Sequence, residues 1–263
     1  MASRSMDQSF YGEQPIPRLH QPMPSTPAVS AVIPVHNEAG FIDSALPRLI
    51  ESMESLGEVF EIIIAENGST DATAEIVSRI SDTDDRVTMI RLPEPDYGAA
   101  MRAGFLRAKG AWIVNFDIDY FSADFIRAGL LIEDSTDIVL ASKRVAGSDD
   151  RRSLLRRLGT WGFNIVLRML FRSEVTDTHG MKMIRRSVVE TLVPAVESTQ
   201  DLFDTELVIR AERAGHRIAE VPATVEELRT ARSSFVKRIP RTLVGLWRIR
   251  RSLRNEARQQ PDE

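Results

Sequence analysis

The chain alternates between short apolar runs and amphipathic stretches. AVSAVIPV, at residues 28–35, is rich in β-branched residues and predicts a buried strand. Residues 41–56 carry apolar side chains at helical spacing, and residues 61–65 form a second apolar strand. The pattern continues with a helix over 71–80, a strand over 87–92 and a helix over 97–108 that Gly110 stops. Residues 111–116 predict a fourth strand, and residues 138–142 a fifth after another helix. Strands that alternate with helices imply βαβ units, and so an α/β fold with a mostly parallel sheet covered on both faces.

The alternation weakens after about residue 145. Residues 151–172 and 237–258 read as basic amphipathic helices. Between them lie DTHGMKMIRR at 177–186, a helix around 202–214 and a strand over 217–225. Residues 1–27 hold five prolines without apolar periodicity, which predicts a disordered tail. The expected division is a tail over 1–27, a catalytic domain over 28–235 and a basic, membrane-associating segment over 236–263. There is no internal repeat.

Composition narrows the chemistry. Of 263 residues, 43% are hydrophobic and 27% charged, a globular balance that excludes bulk disorder. The absence of cysteine excludes disulfides, Cys-ligated zinc and thiol nucleophiles. Four histidines leave little room for a His-rich metal site. No apolar run approaches the ~18 residues of a bilayer-spanning helix, and no apolar h-region follows the N-terminus, so a cytoplasmic location is expected. Charge is divided along the chain: residues 1–150 carry 12 basic and 24 acidic side chains, residues 151–258 carry 22 and 12. The second half is therefore suited to an anionic partner, whether phosphate, nucleic acid or a membrane surface.

In open α/β sheets ligands gather at the carboxyl ends of the strands. Polar clusters follow three of these ends: His36-Asn37-Glu38, Glu66-Asn67-Gly68-Ser69 and Asp117-Ile118-Asp119. Alternation at a strand end would aim Asp117 and Asp119 to one side. Two hard carboxylates there suit Mg²⁺ or Mn²⁺, which hold phosphates with one or two protein carboxylates. A solvated loop is the plainer alternative. Glu38 could equally be a helix-start carboxylate, and Ser69 or Asp71 a helix N-cap.

The segments VIPVHNEAGFI, IIIAENGSTDAT, YGAAMRAGFLRAKGAWIVNFDID, DTHGMKMIRRSV and FDTELVIRAERAGHRIAEVP resemble, in order and spacing, the motifs of family 2 glycosyltransferases. Within that family they are most similar to dolichyl-phosphate and polyprenyl-phosphate mannose or glucose synthases. The resemblance spans roughly residues 29–235 and implies a GT-A fold that binds a nucleotide sugar and a divalent metal. It places Pro34, Glu38, Asn67, Ser69 and Asp71 at the donor, and Asp117 and Asp119 at the metal. Glu66-Asn67 stands where the family usually has two aspartates, so the choice between UDP and GDP stays open. Phe121 replaces a Gln that often assists the metal. His179 could be a further ligand, or a structural histidine.

On the acceptor side, the resemblance assigns Lys143 or Arg144, with Arg156 and Thr160, to an acceptor phosphate; Asn164 completes the family spacing on that helix. Arg229 and Ser234 match a distal motif that closes over the donor phosphates. A phosphate acceptor, largely dianionic at neutral pH, needs cations rather than a general base. The implied reaction is inverting, metal-dependent transfer of a hexose to a polyprenyl phosphate by a peripheral enzyme of the cell envelope, at the cytoplasmic face of an anionic membrane. This leaves room for an integral membrane protein as partner. No nucleic acid is expected, because stacking aromatics and a binding motif are missing. Two alternatives stay open. One is a soluble glycosyltransferase with a hydroxyl acceptor, with Asp201, Asp204 or Glu206 as base; the other is a non-catalytic nucleotide-sugar-binding protein.

Overall fold

The structure is a computed structural model that describes residues 26–132, 135–142, 145, 148–150, 154–178, 180–199, 202–225 and 235–259. All but the last two residues of the expected N-terminal tail lie outside these. In chain order, the elements of the first half are β1 (Val29–Val35), α1 (Ala39–Glu54), β2 (Phe60–Asn67), α2 (Thr73–Ser81), β3 (Val87–Leu92), α3 (Tyr97–Arg107), β4 (Trp112–Asn115), α4 (Ala123–Leu130) and β5 (Ile138–Ser142). The second half adds β6 (Asp149–Asp150), α5 (Leu154–Phe171), β7 (Lys182–Arg185), α6 (Arg186–Leu192), α7 (Phe203–Arg213), β8 (Ile218–Pro222), β9 (Thr224–Val225) and α8 (Phe235–Gln259).

Seven strands form one sheet in the order β3-β2-β1-β4-β7-β5-β8, and β6 pairs with β9 apart from it. Only β7 runs against its neighbours, antiparallel to both β4 and β5. It is too short to be read from KMIR alone, because its partners lie far away in sequence. The switch from β1 to β2 on one side and β4 on the other opens a crevice at the carboxyl edge.

Strand alternation divides the core. Val29, Ala31, Ile33 and Val35 of β1 pack with α1, α2 and α4 on one face. Val32, Ile63 and Ile113 pack with α3, α6 and α7 on the other. Coverage of both faces explains why the central strands read as continuous apolar runs. A third cluster joins Leu167 of α5 and Ile209 of α7 to Leu246, Ile249 and Leu253 of α8. The C-terminal helix is thus packed against the domain along one stripe. No helix among the described residues is long and apolar enough to cross a membrane.

Candidate active site

Two loops build the crevice beside β1 and β2, and each holds the other. Asn37 adopts a left-handed backbone with φ of 54°. Its N–H donates to Ser69 Oγ at 2.9 Å, and its Oδ1 accepts from the Thr70 N–H at 2.9 Å. His36 Nδ1 lies 2.7 Å from the Asn67 carbonyl. Asp71 accepts from the Ala39 N–H at 3.1 Å and the Thr73 N–H at 3.0 Å, and it also takes the Thr73 hydroxyl. One carboxylate thereby ties together the amino ends of α1 and α2. The Thr73 hydroxyl, helped by these N–H groups, holds Asp71 below the usual carboxylate range.

Gly68 turns this loop at φ of +63°, where a Cβ would meet the Glu94 carbonyl carbon at 2.7 Å. Glu66 is fully buried, accepts from the Ser69 N–H at 2.5 Å and lies 3.2 Å from Arg91 Nε. Asn67 Oδ1 accepts from the Asp96 N–H at 2.6 Å, and the Asp96 side chain caps α3 through the Ala99 N–H at 3.0 Å. Pro34 lies half-buried near the end of β1. Glu38 stands before α1 without a side-chain cap bond, and its N–H donates to Thr73 Oγ1 at 2.8 Å. The five donor residues expected on β1, β2 and their loops therefore share one edge.

The third loop corrects the expected geometry of the carboxylate pair. β4 ends at Asn115, and residues 117–120 form a tight turn closed by the Tyr120 N–H donating to the Asp117 carbonyl at 2.9 Å. Ile118 is buried in the core, whereas Asp117 is exposed and Asp119 half-exposed. The two carboxylates reach the solvent side through a turn rather than by strand alternation. Burial first, and the charge of Asp177 second, push the Tyr120 phenol above its ordinary value.

Among the residues expected to meet an acceptor, Arg156 and half-buried Thr160 lie on α5, with buried Asn164 one turn further on. Asn164 Nδ2 donates to the Thr176 carbonyl at 2.5 Å, and Thr176 Oγ1 meets Ser142 Oγ at the carboxyl end of β5 at 2.7 Å. This anchors α5 at the sheet edge that holds the donor loops. Lys143, Arg144, His179, Asp201, Arg229 and Ser234 lie outside the described residues, as does the Arg156 side chain.

The carboxylates named as alternative bases are differently placed. Glu206 is buried and accepts from the Glu197 N–H at 3.1 Å, the Ser198 N–H at 2.7 Å and Arg210 Nε at 2.8 Å. Asp204, also buried, accepts from the Tyr97 hydroxyl at 2.7 Å and lies 3.1 Å from Lys182 Nζ. Sequence reasoning missed Lys182, which is 0% exposed. Lysine is almost never fully buried without a partner, and only the fold supplies Asp204.

Exposed apolar side chains complete this half. Leu158, Trp161 and Met169 follow one stripe of α5; Ile239, Leu243 and Trp247 follow one of α8. Exposed Arg248, Arg251 and Arg254 accompany the second, with the Arg251 guanidinium 5.6 Å from the Trp247 ring centre.

Comparison with known proteins identifies the fold and the family. The chain is 32% identical over 206 residues to the glycosyltransferase AglD of Haloferax volcanii, covering 75% of this chain and 33% of AglD. It therefore spans about a third of that relative. It is 26% identical over 251 residues to a dolichyl-phosphate beta-glucosyltransferase of Dictyostelium discoideum, covering 84% of this chain and 77% of the relative. The fold matches glucosyl-3-phosphoglycerate synthase of Mycobacterium tuberculosis, crystallised with Mn²⁺, UDP and phosphoglyceric acid. The TM-score is 0.64 at 21% identity, over 85% of this chain and 78% of that one. The pattern of glycosyl transferase family 2 matches residues 30–193, and the chain belongs to that family.

Proposed function

We propose that this protein transfers a hexose from a UDP- or GDP-linked sugar to a polyprenyl phosphate, with inversion, at the cytoplasmic surface of a membrane. The observation that carries this reading is the shared sheet edge. The donor loops, the Asp117–Asp119 turn and the helix bearing Arg156 and Thr160 all meet the carboxyl ends of β1, β2, β4 and β5. The Dictyostelium relative acts on dolichyl phosphate, and AglD is a glycosyltransferase.

The residues fit a divalent cation of the Mg²⁺ or Mn²⁺ kind. Asp117 and Asp119 are two hard oxygen ligands on an accessible turn, and such cations keep several waters. With two protein carboxylates, the remaining positions of such a cation would go to water and substrate phosphate. When bound, the cation would offset the charge that grows on the leaving diphosphate. An acceptor phosphate oxygen attacks the anomeric carbon from the face opposite the diphosphate. The bond from that carbon to the diphosphate oxygen breaks, and the nucleoside diphosphate departs with the electron pair.

No proton has to be removed from a phosphate dianion. This agrees with Glu206 and Asp204, whose oxygens are taken up by N–H groups, Arg210, Tyr97 and Lys182. Lys143 or Arg144, with Arg156 and Thr160, would hold the acceptor phosphate; Arg229 and Ser234 would close over the donor. The apolar stripes of α5 and α8, flanked by arginine, are suited to lie in the interface of an anionic bilayer. An integral membrane protein as a further partner is compatible with that placement.

The test is a panel of UDP- and GDP-sugars incubated with Mn²⁺ or Mg²⁺ and a polyprenyl phosphate. Sugar label should pass into the organic phase with one donor and disappear with EDTA. Label that moves only to a water-soluble hydroxyl acceptor would replace this reading with the soluble enzyme.

A further inference from the structure

One buried lysine lies where four parts of the site meet. Lys182 opens β7, and its backbone pairs with Asn115 at the end of β4 and with Leu140 of β5. Its Nζ donates to the Gly180 carbonyl at 2.8 Å and lies 3.1 Å from Asp204 Oδ1. Asp204, in the first turn of α7, accepts from the hydroxyl of Tyr97, the first residue of α3. Just before Tyr97, the Asp96 N–H is bound to Asn67 of the donor loop. The ammonium thus connects the end of β4, α7 and the donor side to the segment that precedes it.

That segment contacts the remaining parts. The Thr176 carbonyl receives Asn164 Nδ2 of α5, and Glu220 Oε1 of β8 accepts from the Thr176 N–H at 3.0 Å and its hydroxyl at 2.7 Å. Thr178 Oγ1 lies 3.1 Å from Thr205 Oγ1 of α7. Gly180 has no room for a side chain, since a Cβ would lie 2.3 Å from the Ala141 carbonyl. Helix α5 also packs through Leu167 against α7 and α8, while Leu158, Trp161 and Met169 stand in the open.

We propose that Lys182, neutralised by Asp204, and Asn164 are positioning residues. Together they fix Thr176, Thr178 and Gly180 and so hold α5, with Arg156 and Thr160, in register with the end of β4 and the Asp117–Asp119 turn that follows it. The acceptor part of this inference rests on the function proposed above. The physical case is geometric. Arg156 and Thr160 precede Asn164 by eight and four residues, so all three share one helix face. Apolar packing on α7 and α8 holds the second half of α5, and a directional polar contact fixes the rotation of the face that carries Arg156 and Thr160. Asn164 to Thr176 is such a contact, and the ion pair keeps its receiving carbonyl in place.

Two variants and two readouts test this. Asn164→Ala removes the contact on α5. Lys182→Met/Asp204→Asn removes both buried charges together while leaving Tyr97 an acceptor; this avoids the unfolding that one stranded charge would cause. Hydrogen exchange reads position without requiring activity. In both variants the amides of α5 and residues 176–178 should exchange about tenfold faster or more, with β1, β2 and β4 within about twofold of wild type. The KM for a short-chain polyprenyl phosphate should rise about tenfold, with nucleoside diphosphate affinity in Mn²⁺ changed by less than about twofold. Uniformly faster exchange, or α5 protected as in wild type, overturns the positioning role. So does a loosened α5 with acceptor KM unchanged. A wild-type protein that glycosylates no polyprenyl phosphate defeats the proposed function instead, and the exchange result then judges the positioning role by itself.

Discussion

The crevice beside β1 and β2 and the ground around α5 and α8 are built on opposite plans. In the first, loop side chains spend their hydrogen bonds on neighbouring backbone: Asn37, Ser69, Asp71, Glu66 and Asn67 each hold an N–H or are held by one. In the second, tryptophans 55% and 58% exposed stand beside arginines, and α5 and α8 each pack along one stripe. Under the proposed function, this bonded crevice is a seat preorganised for a nucleotide sugar. Under the same proposal an isoprenoid phosphate would come from a bilayer, which suits a surface that is apolar and cationic. The contrast suggests that one half was shaped for precision and the other for access.

Four perturbations would break or sharpen that contrast. The largest effect is expected at the junction of the two regions. Asp119→Ala should reduce transfer by about 10²–10³-fold, the scale on which a preorganised charge partner of the transition state acts. Its unfolding midpoint should stay near wild type, because Asp119 is not buried. Steady-state transfer with a denaturation curve checks both, and near-normal activity would remove the metal role.

Next comes the access side alone. Leu243→Ser/Trp247→Ser changes only exposed positions of α8. Co-sedimentation with anionic vesicles should weaken by about tenfold or more, while stability moves by no more than about 0.5 kcal/mol per site. High salt should release the wild-type protein, since it screens arginine from headgroups. Equal binding to neutral and anionic vesicles would contradict the charge argument.

The rigid side should answer to backbone strain. Gly68→Ala places a Cβ against Glu94 at a left-handed position, and should cost about 1–3 kcal/mol of stability. Nucleotide affinity should fall with it, whereas vesicle binding should not; urea unfolding and calorimetry measure these separately.

The smallest effect concerns acid. Thr73 lowers Asp71, and Arg210 lowers Glu256 across the α7–α8 contact. A carboxylate lowered in the folded state contributes stability above its unfolded value of about 4, and that contribution disappears as pH falls through the folded value. Stability should therefore decline from about pH 4 downward, and Asp71→Asn should flatten that decline slightly in urea titrations at stepped pH.

Much of this molecule was legible in advance. The first five strands and the helices between them follow from local periodicity, and the polar clusters at three strand ends mark the crevice. Co-linear motifs indicated the family. Other features were hidden for identifiable reasons. KMIR at 182–185 has too few residues to announce a strand, and its position between β4 and β5 is a long-range pairing. Nothing local marks Glu66 or Lys182 for burial, yet both are buried beside partners distant in sequence or on an adjacent strand. The Asp117–Asp119 pair follows β4 as expected, but on a turn instead of an alternating strand end.

Local sequence thus determined whatever depends on near neighbours: strand and helix periods, the polar character of the loops, the arginine-rich second half and the apolar stripes of α5 and α8. Tertiary structure decided what depends on pairing across the chain. It set the antiparallel insertion of β7, the mutual locking of the loops after β1 and β2, and the lysine–aspartate pair beneath the acceptor side. The physical reason is that a buried charge or polar side chain is tolerated only when a specific partner meets it, and the fold alone brings that partner within reach.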